Sequence, residues 1–173
     1  MIKLFISSLM DMRQFHGKVS HVLSMVDPDD GSTIPSLGVP EERRLVLLCD
    51  DVDSSVEALT RERTMPGSRC IAPTRAMVKK ALAFAKALPD DARLLVHCGH
   101  GISRSTALGF AILCQAQPDL TEEKVYRQIL RLRPQAFPNA LIVTYADALL
   151  SRNGKMSRAI PSGKAKSRGR SQK

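Results

Sequence analysis

The chain has 173 residues, 43% of them hydrophobic, which is enough for one domain with a buried core. Its formal charge of +9 is local: eight of the 26 basic side chains and none of the 17 acidic ones follow Ser151, so the rest of the chain is close to neutral. No apolar run could span a bilayer, residues 1–6 lack the layout of a secretory signal, and the four cysteines show no paired short spacings. A cytoplasmic protein with reduced thiols is expected.

In chain order, residues 1–6 read as a first strand and residues 19–26 as a second, stopped by the turn residues Asp27-Pro28-Asp29-Asp30-Gly31. His16 and His21 fall in the first helix and this strand, where lone histidines serve structure or surface. A long loop through Pro40 leads to a strand at 44–49, and residues 57–72 read as a further loop. A helix over 74–88, a buried strand at 94–96 and a helix from Ser103 to Gln115 follow. Thr121-Glu122-Glu123 supplies a cap and acids to a helix that runs to Leu132 before Pro134. Asn139 caps a last helix, with Leu141, Ile142, Tyr145, Ala148 and Leu149 at core spacing, ending near Gly154.

Strands alternating with helices predict an α/β fold: one domain over 1–153 with a central, largely parallel sheet and helices on both faces. Residues 154–173 form a basic tail whose Ser, Gly, Arg and Lys content cannot bury apolar surface. A solvated tail is the default, and contact with nucleic acid is the lesser alternative.

The stretch His97-Cys98-Gly99-His100-Gly101-Ile102-Ser103-Arg104-Ser105 joins the 94–96 strand to the following helix. A helix N-terminus offers unpaired N–H groups and the positive end of its dipole, so a small anion is stabilised there. Gly99 and Gly101 let successive amides converge, Arg104 adds a planar fork for two phosphate oxygens, and the positive cup favours the nucleophilic thiolate of Cys98. Gly99, His100, Gly101, Ile102, Ser103 and Arg104 are thus expected to bind phosphate, with His100 at the mouth. His97, Cys98 and His100 lack a second ligand pair with metal spacing, so no metal and no cofactor are expected.

A cysteine, five residues and an arginine, preceded by His97 and followed by Ser105, resemble the signature of the cysteine-based protein tyrosine phosphatases, nearest to their dual-specificity-like branch. The resemblance runs loosely from Val19 to Asn153 and implies that family's α/β architecture. It also implies that Cys98 forms a phosphocysteine, that Arg104 holds the phosphoryl group, that Ser105 assists breakdown of the intermediate, and that His97 orients the loop.

Ester cleavage also needs a proton for the leaving oxygen. Asp50, Asp51 and Asp53 follow the apolar run 45–49, where a strand ends and a loop begins, the place where α/β enzymes put site residues. Neighbouring carboxylates repel one another's charge, which favours the protonated form of one of them. The resemblance points to Asp51 as the acid, with Asp50 and Asp53 as alternatives, although residues 57–72 lengthen the family's spacing. Asp90 and Asp91 precede the strand and fall at its opposite end.

The function expected is a metal-independent phosphatase for phosphate monoesters, phosphotyrosine and also phosphoserine or phosphothreonine, acting on a phosphorylated protein or a small phosphate ester. A phosphate-binding module with little turnover, or an RNA 5′-phosphatase using the tail, is the alternative. Gly99 and Ile102 stand where the phosphoinositide phosphatases carry lysines, which counts against that substrate. Cys49 abuts the aspartates and is a candidate redox partner for Cys98, whereas Cys114 is a core residue.

Overall fold

Four short apolar segments form the strands β1 Lys3–Ser8, β2 His21–Val26, β3 Arg44–Leu48 and β4 Arg93–Cys98 of a computed structural model that describes residues 2–28, 33–54, 57, 60 and 70–161. All pair in parallel in the order β1-β4-β2-β3, so β4 is an inner strand held on both sides. Cys98 pairs with Ser8 in register, and His97 faces both Ser7 and Ser24. The strand period of two sends Leu23, Met25, Leu45, Leu47, Leu94 and Val96 to one face and Val22 and Leu95 to the other.

The first face is covered by α1 Arg75–Lys86, α2 Arg104–Ala116, α3 Glu122–Leu132 and α4 Ala140–Leu149, whose apolar stripes merge into one core. The second face lies under a 3-10 turn at Met12–Phe15 and the chain around Leu37 and Val39. Helix α2 is buried along nearly its whole length, from Arg104 to Cys114. Of the two caps read from sequence, Asn139 Oδ1 accepts from Ile142 N at 3.0 Å, whereas Thr121 makes no side-chain cap bond; Thr74, not read as a cap, accepts from Met77 N at 3.2 Å through Oγ1.

Several boundaries differ from the sequence reading, among them β1, which runs Lys3–Ser8 and not over 1–6. Strand β2 begins at His21, because Ser20 turns to donate its amide to Arg93 O at 2.9 Å. Strand β4 runs on through His97 and Cys98, which places the cysteine on the sheet edge. The last helix is two helices: α4 stops at Leu149, and α5 Lys155–Ala159 starts after Ser151, Asn153 and Gly154 adopt left-handed backbone angles. The Asp147 carboxylate accepts from Gly154 N at 2.6 Å and Met156 N at 2.8 Å, fixing that reversal. Met156 is fully buried, so packing continues past the residue where composition places the start of the tail. Arg152 also belongs to the body, donating to Glu122 Oε1 at 3.3 Å and Cys114 O at 2.6 Å. The further loop at 57–72, part of the Asp27–Gly31 turn and residues 162–173 fall largely or wholly outside the described residues. Among the described residues, no helix is long and apolar enough to cross a membrane.

Candidate active site

A parallel sheet gathers the carboxyl ends of its strands on one edge. Here that edge carries Ser8, Cys98, Asp27 and the Cys49-to-Asp53 segment, which follow β1, β4, β2 and β3. The site is built where β4 turns into α2.

The loop from Cys98 to Ser103 is tied on every side through its backbone. Leu9 N donates to Gly99 O at 3.1 Å, Phe137 N to Ile102 O at 2.9 Å, and Asn139 N to Ser103 O at 3.3 Å. Arg133 reaches in from the end of α3, its Nη2 donating to His100 O at 3.2 Å and its Nε to Gly101 O at 3.1 Å. With their carbonyls held outside, the loop amides are free to turn inward. Gly101 N donates to Cys98 Sγ at 3.3 Å.

Gly101 makes this turn possible, with φ at +69° and the Ser7–Ser8 backbone against it. A Cβ at this position would lie 2.6 Å from Ser7 C and Ser8 N, backbone atoms that cannot swing aside. Gly101→Ala is therefore expected to destabilise the fold by about 2–4 kcal/mol, the sum of a left-handed backbone penalty and overpacking. Urea unfolding measures it, and a loss below about 1 kcal/mol would mean the β1 end yields more easily than this packing implies.

Cys98 is buried, and its Sγ is in hydrogen-bond contact with Ser105 Oγ at 3.2 Å. Helix α2 has no side-chain cap, because the Ser103 hydroxyl donates instead to Asp51 Oδ1 at 2.7 Å. Its N-terminal amides and dipole are thus left to the loop. Arg104 opens the helix and is 2% exposed. Its Nη1 donates to Asp27 Oδ1 at 2.6 Å and to the Cys49 carbonyl. Its buried Nε has no hydrogen-bond partner among the described residues and forms an ion pair with Asp51 Oδ2 at 4.0 Å. Burial opposes the guanidinium charge, yet Asp27, Cys98 and Asp51 together hold it above the ordinary arginine range.

The three sequence candidates for the acid separate by geometry. Asp50 Oδ2 accepts from Ile71 N at 2.7 Å and Asp53 Oδ1 from Ala140 N at 2.8 Å, so both are spent on loop and helix ends. Asp51 is the one joined to the loop, through Ser103 and through Asn139 Nδ2, which donates to it at 3.0 Å. Cys49 is fully buried behind Arg104, and burial pushes its thiol up to about 11. Cys114 is a core residue pushed up to about 12 by burial. Among the described residues, no group of three His, Cys, Asp or Glu could hold a metal ion.

His97 lies under the loop, its Nε2 2.7 Å from Ser24 Oγ. Burial pushes its imidazole from 6.5 down to about 4, opposed only in part by the Cys98 backbone. Between those pH values the unfolded chain takes up a proton that the folded chain refuses, so stability rises with pH in this window. The contribution is complete above about 6.5, is lost as pH falls toward 4, and amounts to about 3 kcal/mol. His97→Gln should flatten the fall in urea midpoint from pH 7 to 4.5. An unchanged slope would place the titrating group elsewhere.

Three contributors to the site escape a sequence reading. Asn139 is legible as a cap, but its bond to Asp51 is not. Arg133 carries one faint signal, a charged residue between a helix end and Pro134. Asp27 sits at a strand end like Asp51, but stands among turn-forming residues that explain it without any site.

The parallel sheet and the helices that cover it form the fold seen in solved structures of PTP- and DUSP-type phosphatases. The chain is similar to PTPMT1 in complex with PI(5)P (TM-score 0.60, 18% identity, 91% of this chain and 94% of that one). It is similar also to the PTP-2 phosphatase of Cydia pomonella (0.59, 18%, 84% of each chain) and to human DUSP28 (0.51, 19%, 87% and 89%). No protein-family model matches the sequence, and no curated protein matches it as a relative.

Proposed function

We propose that the protein is a phosphatase that hydrolyses phosphate monoesters without a metal ion, through a phosphocysteine at Cys98. The observation that carries this reading is the convergence on one loop of Cys98 Sγ, the uncapped start of α2 and the Nε of a buried Arg104, which has no hydrogen-bond acceptor among the described residues. A buried guanidinium nitrogen without an acceptor is costly unless an anion completes it. The protein tyrosine phosphatase fold of the similar structures supports the same chemistry.

In the first step the Cys98 thiolate attacks phosphorus while Arg104 and the loop amides hold the equatorial oxygens. The phosphorus–oxygen ester bond breaks, and Asp51 gives its proton to the leaving oxygen. Water then attacks the phosphocysteine, Asp51 takes a proton from it, and the sulfur leaves as thiolate with the Ser105 hydroxyl donating to it. Phosphotyrosine, with phosphoserine or phosphothreonine, is the substrate class proposed, in a cytoplasmic protein.

Hydrolysis of p-nitrophenyl phosphate in EDTA, followed by rapid acid quench, tests the reading. Turnover with phosphate trapped on the Cys98 peptide is expected. Folded protein that shows neither would be a phosphate-binding module instead.

A further inference from the structure

The exposed apolar side chains of this molecule are gathered, not scattered. Among the described residues the large hydrophobic ones exposed to solvent are Met10, Val46, Leu48, Leu132 and Phe137. All but Val46 are, or directly adjoin, a residue bonded to the cysteine loop or to Arg104. Phe137 N donates to Ile102 O, Leu9 N beside Met10 donates to Gly99 O, and Arg133 beside Leu132 donates to the His100 and Gly101 carbonyls. Cys49 beside Leu48 gives its carbonyl to Arg104 Nη1. Holding a phosphate needs no apolar surface, and single exposed apolar residues need no explanation, whereas a set gathered around one cradle marks contact with what enters it.

At Phe137 this rim opens into a cavity of about 290 Å³, with apolar walls of Phe137, Pro138, Ala140, Val143, Ile160 and Pro161. Two of its polar side chains are already engaged: Asp53 Oδ1 accepts from Ala140 N at 2.8 Å, and Thr144 Oγ1 donates to Ala140 O at 2.8 Å. What remains suits an apolar group. The cavity lies at the lower limit of small-molecule pockets, roughly 300–1,000 Å³, and has room for one side chain. It also shares its wall with the cradle, since Asn139, between two wall residues, donates its amide to Ser103 O at 3.3 Å and its side chain to Asp51 Oδ1 at 3.0 Å.

We propose that this cavity is a subsite for a phosphopeptide: with the phosphate in the cradle, a large apolar side chain one or two residues from the phosphorylated one lodges against Phe137. The proposal rests on the phosphatase reading and narrows its substrate class. An extended peptide advances about 3.3 Å per residue, so one or two residues carry a side chain from the cradle to a wall bonded to it. A lipid surface or a second copy of the chain would meet the exposed set as a broad face, whereas a recess beside the cradle fits a single side chain that the substrate brings with it.

The test uses two phosphotyrosine peptides that differ only in carrying leucine or serine at the two positions on either side of the phosphotyrosine. It reads the ratio of their kcat/KM, which does not depend on how much of a variant is folded. Wild type should favour the leucine peptide by about tenfold or more, the scale on which an apolar pocket tells side chains apart. Phe137→Ala, which removes a wall, and Thr144→Trp, which fills the space from α4, should each bring the ratio within about twofold of unity. A wild-type ratio already within about twofold, or one that either variant leaves as it was, overturns the proposal. So does sedimentation with phosphatidylcholine vesicles that depends on Phe137, or a dimer that Thr144→Trp dissolves, since these give the recess to a lipid surface or to a second copy. If wild type turns over neither the peptides nor p-nitrophenyl phosphate, the phosphatase reading fails on its own. The ratio of the two peptides' Kd values, read by fluorescence anisotropy in the same variants, then decides the subsite on the same terms.

Discussion

Cys98→Ser is expected to lower kcat for p-nitrophenyl phosphate by about 10⁴-fold or more, the scale on which an enzyme loses turnover with its nucleophile. The substitution changes little else, since an oxygen at the same place can keep the contacts to Ser105 Oγ and Gly101 N. What serine lacks is an accessible anion. Sulfur attacks phosphorus as a thiolate, whereas a hydroxyl needs a base beside it. The imidazole of the preceding residue is committed elsewhere: His97 Nε2 is engaged by Ser24, and the residue is fully buried. The serine protein should still bind orthovanadate and phosphate, because Arg104 and the amides remain. Residual turnover within tenfold of wild type would move the nucleophile away from Cys98.

Asp51→Asn is expected to cost about 10²–10³-fold in kcat on an ester with a poor leaving group, such as phenyl phosphate or phosphotyrosine, and much less on p-nitrophenyl phosphate. The difference follows from what a general acid does: a nitrophenolate departs without help, whereas a phenolate needs the proton. Asparagine retains an oxygen for Ser103 Oγ, so the loop stays in place while the proton is removed. Asp50→Asn and Asp53→Asn serve as controls, since their oxygens accept from Ile71 N and Ala140 N away from the loop. An equal loss on both substrates would make Asp51 a positioning residue, and a larger loss in either control would move the acid to that residue.

Cys98, Gly101 and Arg104 are legible in the sequence because their chemistry is local. A strand, a tight glycine-bearing turn and a helix start lie within a dozen residues, and the helix dipole acts on whatever stands in that turn. The cap at Asn139 is legible for the same reason, bonding three residues ahead. The helix end near Leu149 is not, because the reversal there depends on Asp147 collecting the amides of Gly154 and Met156, a choice no periodicity records.

By itself, then, the sequence determined the parallel α/β architecture, the cysteine loop and a set of three aspartates at the end of β3. Tertiary structure alone distinguishes the surroundings of those three, joining Asp51 to Ser103 and Asn139 while turning Asp50 and Asp53 to other amides. It also brought Asp27 to Arg104 across 77 positions and Arg133 to the Gly101 carbonyl across 32. The physical reason is the sheet: parallel pairing in the order β1-β4-β2-β3 puts chain-distant strand ends on one edge, and neighbours on that edge follow from strand order and not from spacing.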